Sequence, residues 1–351
     1  MAEKGKSVIM GVDTHKEVHV VALVSEQGVK LDHKAFEADA LGYREALKWA
    51  RAFGKPLRVG IEATGSYGKG ICTYFQKEGV KTYDVYAPDK QERRRRGKND
   101  IEDAYQAAEA ALTYNRCAQA KQNSDLLDIA RLTESAYELA VKQRTASINA
   151  LKAAIITLPE KMRARLKGLS TSELVKVCVA FRASSDGTYE AELKVILRHH
   201  AKRIQALKKE AADLEKSIKR YANVLAPETM SLLGVGCHGA VKLLCAAGQN
   251  IDRMKGEASF SMLCGTSPVP VSSGNNNHHR LNIGGNRQAN SALYTMAIIR
   301  IRRCEKTRNF VERKMAEGKS KKDALRILKR YLAREVFGML KADLAKFEYA
   351  V

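Results

Sequence analysis

Four acidic residues carry the chemistry open to this sequence: Asp13, Glu62, Asp100 and Asp103. Asp13 closes the apolar run Val8-Ile9-Met10-Gly11-Val12, and Glu62 closes Leu57-Arg58-Val59-Gly60-Ile61. Both runs have the length and composition of buried strands. A carboxylate at the end of such a strand is costly unless it is paired or bound to a cation. Two of them on neighbouring strands repel each other, and a divalent ion relieves that repulsion. Asp100 and Asp103 stand at i and i+3, so they share one face at the start of a helix. Carboxylate oxygens are the hard donors that Mg²⁺ or Mn²⁺ take. Two such ions about 3.5–4 Å apart clamp the attacking and leaving oxygens of phosphodiester transfer. Each acid has a plainer reading when taken singly. Asp100 or Asn99 serves equally well as a helix N-cap, and Asp13 as a strand-end turn residue. The acids by themselves do not separate a nuclease from a recombinase.

The cations point to the substrate class. Sixty-one Lys and Arg face thirty-nine Asp and Glu, a formal charge of +22. An excess this large predicts a polyanionic partner, of which nucleic acid is the common one. Arg93, Arg94, Arg95, Arg96 and Lys98 lie just upstream of the Asp100–Asp103 pair, where they would draw a phosphate backbone to the site. Residues 281–351 hold 17 Lys and Arg against 7 Asp and Glu, with Arg300, Arg302, Arg303, Lys306 and Arg308 on successive helical turns. The plain alternatives are a basic loop and a solvated helix face. The seven cysteines are scattered, odd in number and contain no C-x-x-C pair, against a zinc site or a disulfide framework. No stretch approaches the roughly 20 apolar residues that span a bilayer. No membrane association and a cytoplasmic location are therefore expected.

Strands and helices must position the acids. Residues 8–13, 18–25 and 29–36 read as an antiparallel meander. A helix follows over 40–52, with Asp39 as N-cap and Gly54 as stop. A strand over 57–62, a helix over 67–77, a strand over 80–86 and a helix over 101–112 complete the unit. That last helix carries Ala104, Ala107, Ala108 and Ala111, a small-residue face able to approach a sheet closely. The pattern predicts an α/β domain, a mixed sheet flanked by helices. Residues 126–157 and 189–224 then read as long helices. In the second, Leu193, Leu197, His200, Ile204, Leu207, Ala211, Leu214, Ile218 and Tyr221 alternate by four and three, the seam of a coiled coil. That seam can close on the first long helix or on another protomer, and the protomer is slightly favoured. Leu233-Gly234-Val235-Gly236 has the form of a helix–hairpin–helix turn, and also of an ordinary helical turn. Residues 272–290 read as a polar loop before a basic, mainly α C-terminal part. The expected domains are 1–120 (metal-binding), 121–224 (helical, coiled coil) and 225–351.

Gly11-Val12-Asp13-Thr14-His15-Lys16, Ile61-Glu62-Ala63-Thr64-Gly65-Ser66-Tyr67 and Lys98-Asn99-Asp100-Ile101-Glu102-Asp103-Ala104 resemble the motifs of the DEDD transposases of bacterial insertion sequences. The resemblance continues through Leu233-Gly234-Val235-Gly236, residues 260–268, Ser272-Ser273-Gly274, and Gly285-Asn286 before Ala292-Leu293-Tyr294. It implies a ribonuclease-H-like, RuvC-like N-terminal domain and a C-terminal transposase domain. It also implies Ser273 as a nucleophile within a Ser-Gly pair, with Ser272 one residue away. Without the resemblance, residues 272–277 would read only as a polar turn. His278 and His279 fall in an insert whose role the pattern does not assign.

The resemblance thus implies a bridge-RNA-guided serine recombinase of bacterial cytoplasm and nucleoid. Its partners would be donor and target DNA, a guide RNA and its own copies in a homodimer or homotetramer, and its site would be composite. The alternative is a metal-dependent Holliday-junction-type resolvase or nuclease in which water attacks directly. A nucleic-acid-binding protein without chemistry is disfavoured, because four clustered acids weaken binding to a polyanion unless a metal neutralises them.

Overall fold

Alternation along β1 (Ser7–Thr14) decides how the first unit is built. Val8, Met10 and Val12 point to one face of the sheet, and Ile9, Gly11 and Asp13 to the other. β1 pairs antiparallel with β2 (Val18–Ser25), which pairs antiparallel with β3 (Lys30–Glu37). On its other side β1 pairs parallel with β4 (Lys55–Glu62), and β4 pairs parallel with β5 (Lys81–Val85). A short β6 (Cys117–Gln119) closes the far edge antiparallel, giving the order β3-β2-β1-β4-β5-β6. The parallel pairs need crossovers, which α1 (Ala40–Phe53) and α2 (Lys69–Lys77) supply. Asp39 accepts from the Gly42 N–H (2.8 Å) as N-cap of α1, and Gly54 ends it.

Both sheet faces are covered. On one, Val8, Met10, Val12, Val59 and Ile61 pack against Leu47, Ile71 and Phe75 of α1 and α2. On the other, Ile9, Ala22 and Val24 pack against Ala104, Ala108 and Ala111 of α3 (Asp100–Thr113). Burial of each large aliphatic side chain contributes roughly 1.5–3 kcal/mol. The computed structural model describes residues 7–86, 99–182, 187–273 and 276–348. The chain divides into two compact units, residues 1–122 and 123–351.

The second unit is mostly helical. Its long members are α4 (Asp125–Ile156) and α7 (Tyr189–Leu225); α5 (Glu160–Leu166) and α6 (Thr171–Val179) lie between them in sequence. The apolar seam of α7 closes inside the chain, on α4. Leu197, Ala201 and Ile204 cluster with Leu151, Leu207 and Ala211 with Ala140, and Ile218 and Ala222 with Leu127 and Ala130. This corrects the expected preference for another protomer. Small residues on both helices permit the close approach. One seam position differs as well: His200 is half-buried, and Ala201 takes the buried place.

α8 (Pro227–Ser231), α9 (Cys237–Ala247), α10 (Glu257–Leu263), α11 (Arg287–Arg303), α12 (Glu305–Ala316) and α13 (Lys321–Glu348) complete the unit. The short α8 is capped from a distance. Buried Asp343 accepts from the backbone N–H groups of Glu228 (2.7 Å) and Thr229 (3.0 Å) and from the Thr229 hydroxyl (2.6 Å). At the turn before α9, Gly234 has φ +92, and a side chain there would press on the Met296 carbonyl of α11. The expected polar loop over 272–290 instead begins as a two-stranded hairpin, β7 (Val269–Ser273) with β8 (Asn276–Arg280). Cross-strand backbone pairing overrides the polar composition. No helix of the described residues is long and apolar enough to cross a membrane.

Candidate metal centre

Two glycines set the geometry of the acids. Gly11 and Gly60 are register partners on β1 and β4. A Cβ on Gly11 would lie 2.0 Å from the Ala104 carbonyl oxygen, and one on Gly60 would lie 2.1 Å from that of Ala107. α3 therefore rests directly on strand backbone. Two residues further along each strand, on that same face, come Asp13 and Glu62. The register pairs Val12 with Ile61, so Asp13 and Glu62 adjoin one step beyond. Asp103, on the sheet-facing side of α3, is buried like Asp13, at 8% and 6% exposure. Asp100 stands one turn back at the start of the helix.

Asn99, not Asp100, is the N-cap: its side chain accepts from the Ile101 N–H at 3.0 Å. The Asp100 carboxylate instead lies 3.3 Å from His15 Nε2, which is also 3.1 Å from Asp13 Oδ2. One ligand atom from each of Asp13, His15 and Asp100 fits within 4.8 Å, the spacing of a cation's donor shell. Burial raises the Asp13 carboxyl above its ordinary value; His15 pulls it down, and Asp100 and Asp103 push it up. A divalent cation is the natural relief for such a cluster, and hard carboxylate oxygens with one imidazole nitrogen suit it.

Sequence reasoning passed over four supports. His15 shares the strand-end alternation of Asp13, two residues on, which was the available signal. Buried His19 accepts the His15 backbone N–H at Nδ1 (3.3 Å) and stacks on Tyr43. Burial and the nearby His15 lower its pKa, so it stays neutral there. Asp84 on β5 accepts from the Thr64 hydroxyl (2.6 Å) and backbone N–H (3.4 Å), tying down the loop after Glu62. Gly68 packs against the Glu62 carbonyl, where a Cβ would fall at 2.6 Å.

The direction of the Asp13 shift gives a testable linkage. A carboxyl whose folded pKa is raised binds its proton more tightly folded than unfolded. Its ionisation therefore costs stability at neutral pH, and the cost fades as pH falls through the raised value. A cation prefers the ionised form and competes with that proton. At pH 7.5, Mg²⁺ at about 100 times its Kd should stabilise the protein by ~2.7 kcal/mol, read as a rise in Tm. The increment should shrink in acid, and Asp13→Asn should remove most of it. A Tm indifferent to Mg²⁺ at pH 7.5 would count against a cation site.

The remaining expected site residues are dispersed. Arg93, Arg94, Arg95, Arg96 and Lys98 lie outside the described residues. Arg300 is engaged internally: its Nε donates to the Leu233 carbonyl (2.9 Å), and a terminal guanidinium nitrogen pairs with Glu335 (2.7 Å). Arg302 and Arg303 are exposed on the last turn of α11. Ser272 and Ser273 end β7, paired in register with Asn277 and Asn276, while His278 and His279 face Val271 and Pro270.

Two family models match this chain. One, for DEDD-type IS110 proteins and described as a transposase, matches residues 10–158, which contain all four acids and His15. The other, described as the transposase IS116/IS110/IS902 family, matches residues 227–312, which contain Ser273. The chain is 28% identical over 152 residues to the insertion element IS110 uncharacterized 43.6 kDa protein of Streptomyces coelicolor. That alignment covers 42% of this chain and 37% of the relative, little over a third of its length.

Proposed function

Because the chain belongs to the IS110-type transposases, we propose that it cuts and rejoins DNA strands as an RNA-guided recombinase. The reading is carried by the meeting of Asp13, Asp100 and Asp103 at the end of β1, with Glu62 one register step away. In it, Asp13, Glu62, Asp100 and Asp103 hold Mg²⁺ or Mn²⁺. The bound ion would stabilise developing charge on phosphate and leaving oxygens. His15 Nε2, within reach of both the Asp13 and the Asp100 carboxylate, would join them around the ion.

Ser273 Oγ attacks a backbone phosphorus, and its proton passes to a nearby base. The P–O bond to one strand end breaks, and that leaving oxygen takes up a proton. The product is a phosphoserine ester. A hydroxyl of the second strand then attacks the ester and releases Ser273. Sequence choice is delegated to guide pairing, as in other guided systems. We assign residues 1–120 to metal binding, 121–224 to a coiled-coil helical part, and 225–351 to the nucleophile. A homodimer or homotetramer fits the need to hold donor and target together. Exposed Arg302 and Arg303, with the 93–98 cations, are assigned to phosphate contact.

Trapping tests this reading. Wild type and Ser272→Ala, incubated with target DNA, should yield a covalent protein–DNA adduct, and Ser273→Ala should yield none. Ribonuclease treatment of the purified protein beforehand should abolish the adduct. Cleaved ends without any adduct in wild type would replace serine with water and return the chain to the resolvase or nuclease reading.

A further inference from the structure

A cavity of about 940 Å³ opens in the second unit between the start of α11 and one face of α13. Its floor is two crossing loops. A Cβ on Gly285 would lie 2.3 Å from Gly265 Cα, so backbone meets backbone there. Asn290 donates to the carbonyls of Cys264 (2.8 Å) and Gly265 (3.2 Å) and accepts from Lys329 Nζ (2.8 Å). The floor is thus a fixed, hydrogen-bonded surface and not a loose cleft.

The walls combine two chemistries. Several cations line them, and some are already paired: Arg326 with Asp323 at 2.7 Å and Arg334 with Glu257 at 2.9 Å. Arg280, Arg287 and Arg330 form no ion pair among the described residues. Among these cations stand two aromatic rings, Tyr294 and Tyr331, at 48% and 47% exposure. Phe310 braces the edge of the Tyr331 ring, with centroids 5.6 Å apart and planes at 81°.

A phosphate surface for duplex needs cations alone, because a duplex keeps its base faces inside the stack. Rings facing a cationic cavity offer stacking, which only an unpaired base can use, at about 1–3 kcal/mol per base. The volume lies at the upper end of the roughly 300–1,000 Å³ of small-ligand sites, room for about one or two nucleotides.

We propose that this cavity binds an unpaired nucleotide segment, stacking its bases on Tyr294 and Tyr331 and holding its phosphates with Arg280, Arg287 and Arg330. This rests on the reading that the chain acts on nucleic acid. It adds a single-strand subsite whose occupant is a DNA strand or a stretch of RNA.

The experiment uses the full-length chain and oligonucleotides of about twelve residues carrying one 5-iodouracil, in deoxy and ribo versions, single-stranded or annealed. Irradiation should place the cross-link on peptides containing Tyr294 or Tyr331 with single strands. The better-labelled sugar then identifies the source as DNA or RNA. Tyr294→Leu and Tyr331→Leu, both at half-exposed positions, should weaken single-strand binding about 5- to 100-fold each and leave duplex binding within about twofold. Arg287→Ala with Arg330→Ala should flatten the single-strand salt slope by about 1.4. Cross-links only elsewhere, or Tyr variants that weaken both forms alike or neither, overturn the assignment. Asp13-dependent DNA cleavage, measured in parallel, separates failure of the cavity from failure of the recombinase. If cleavage persists while the rings are silent, the cavity assignment falls and the recombinase reading stands. If it is absent from wild type, the recombinase reading falls and the cross-link alone decides the cavity.

Discussion

Asp13→Ala should lower DNA strand cleavage by about a thousandfold or more, while the protein stays folded and still binds nucleic acid. A metal-held phosphoryl group draws several kcal/mol of transition-state stabilisation from the ion, and each ~1.4 kcal/mol is tenfold in rate. Asp13 is buried, its pKa is raised, and it stands next to Asp100, Asp103 and His15. In the proposed site its loss removes the donor beside His15 and leaves the shell one ligand short. Stability should not suffer. The buried carboxylate costs folding energy at neutral pH, so the cation-free variant should melt at or above the wild-type temperature. The two readouts move in opposite directions, which excludes misfolding as the cause. Adding Asp100→Ala should cost little more, since ligands of one site act as a unit. Cleavage within tenfold of wild type would remove Asp13 from the chemistry and assign the cleavage to groups outside the acidic cluster.

Gly11→Ala should destabilise the first unit by about 3 kcal/mol and weaken Mg²⁺ binding with it. The added methyl would sit 2.0 Å from the Ala104 carbonyl and 2.2 Å from the Ala108 nitrogen, both backbone atoms of α3. Overpacking of this kind usually costs about 1–3 kcal/mol, and backbone relaxes less readily than a side chain. In urea the midpoint should fall by about 1–3 M. Relief can come only by lifting α3, which carries Asp100 and Asp103 off the strand ends. Gly65→Ala is the control: a Cβ there meets nothing within 4 Å. Its midpoint should match wild type. An unchanged midpoint for Gly11→Ala would mean that α3 is not seated on β1.

What was legible in the sequence was local. Asp39 and Gly54 bound α1 because a cap and a stop depend on a few neighbouring residues. The strands ending in Asp13 and Glu62 were legible because each apolar run announces its own burial. The alanine face of α3 signalled close packing, although not that Gly11 and Gly60 would receive it. The partner of the α7 seam was not legible, since heptad spacing specifies a stripe and not what covers it. Nor was the choice between the adjacent His200 and Ala201. Arg300 looked like its exposed neighbours Arg302 and Arg303; its ties to Leu233 and Glu335 arise from segments distant in sequence. The β7–β8 hairpin was hidden because polar residues pair by backbone, which composition does not record. Asp84 enters through contacts that only the folded sheet creates, whereas His15 carried a local signal in its spacing two residues beyond Asp13.

Two carboxylates ride on adjoining strands inside a six-stranded sheet, and two more on a helix whose backbone meets strand backbone at Gly11 and Gly60. At those two contacts no spacer side chain can change rotamer to move the helix away from the strands. A cation centre built on these residues would be governed by supply, by whether cation and strand are delivered, rather than by retuning the cluster itself.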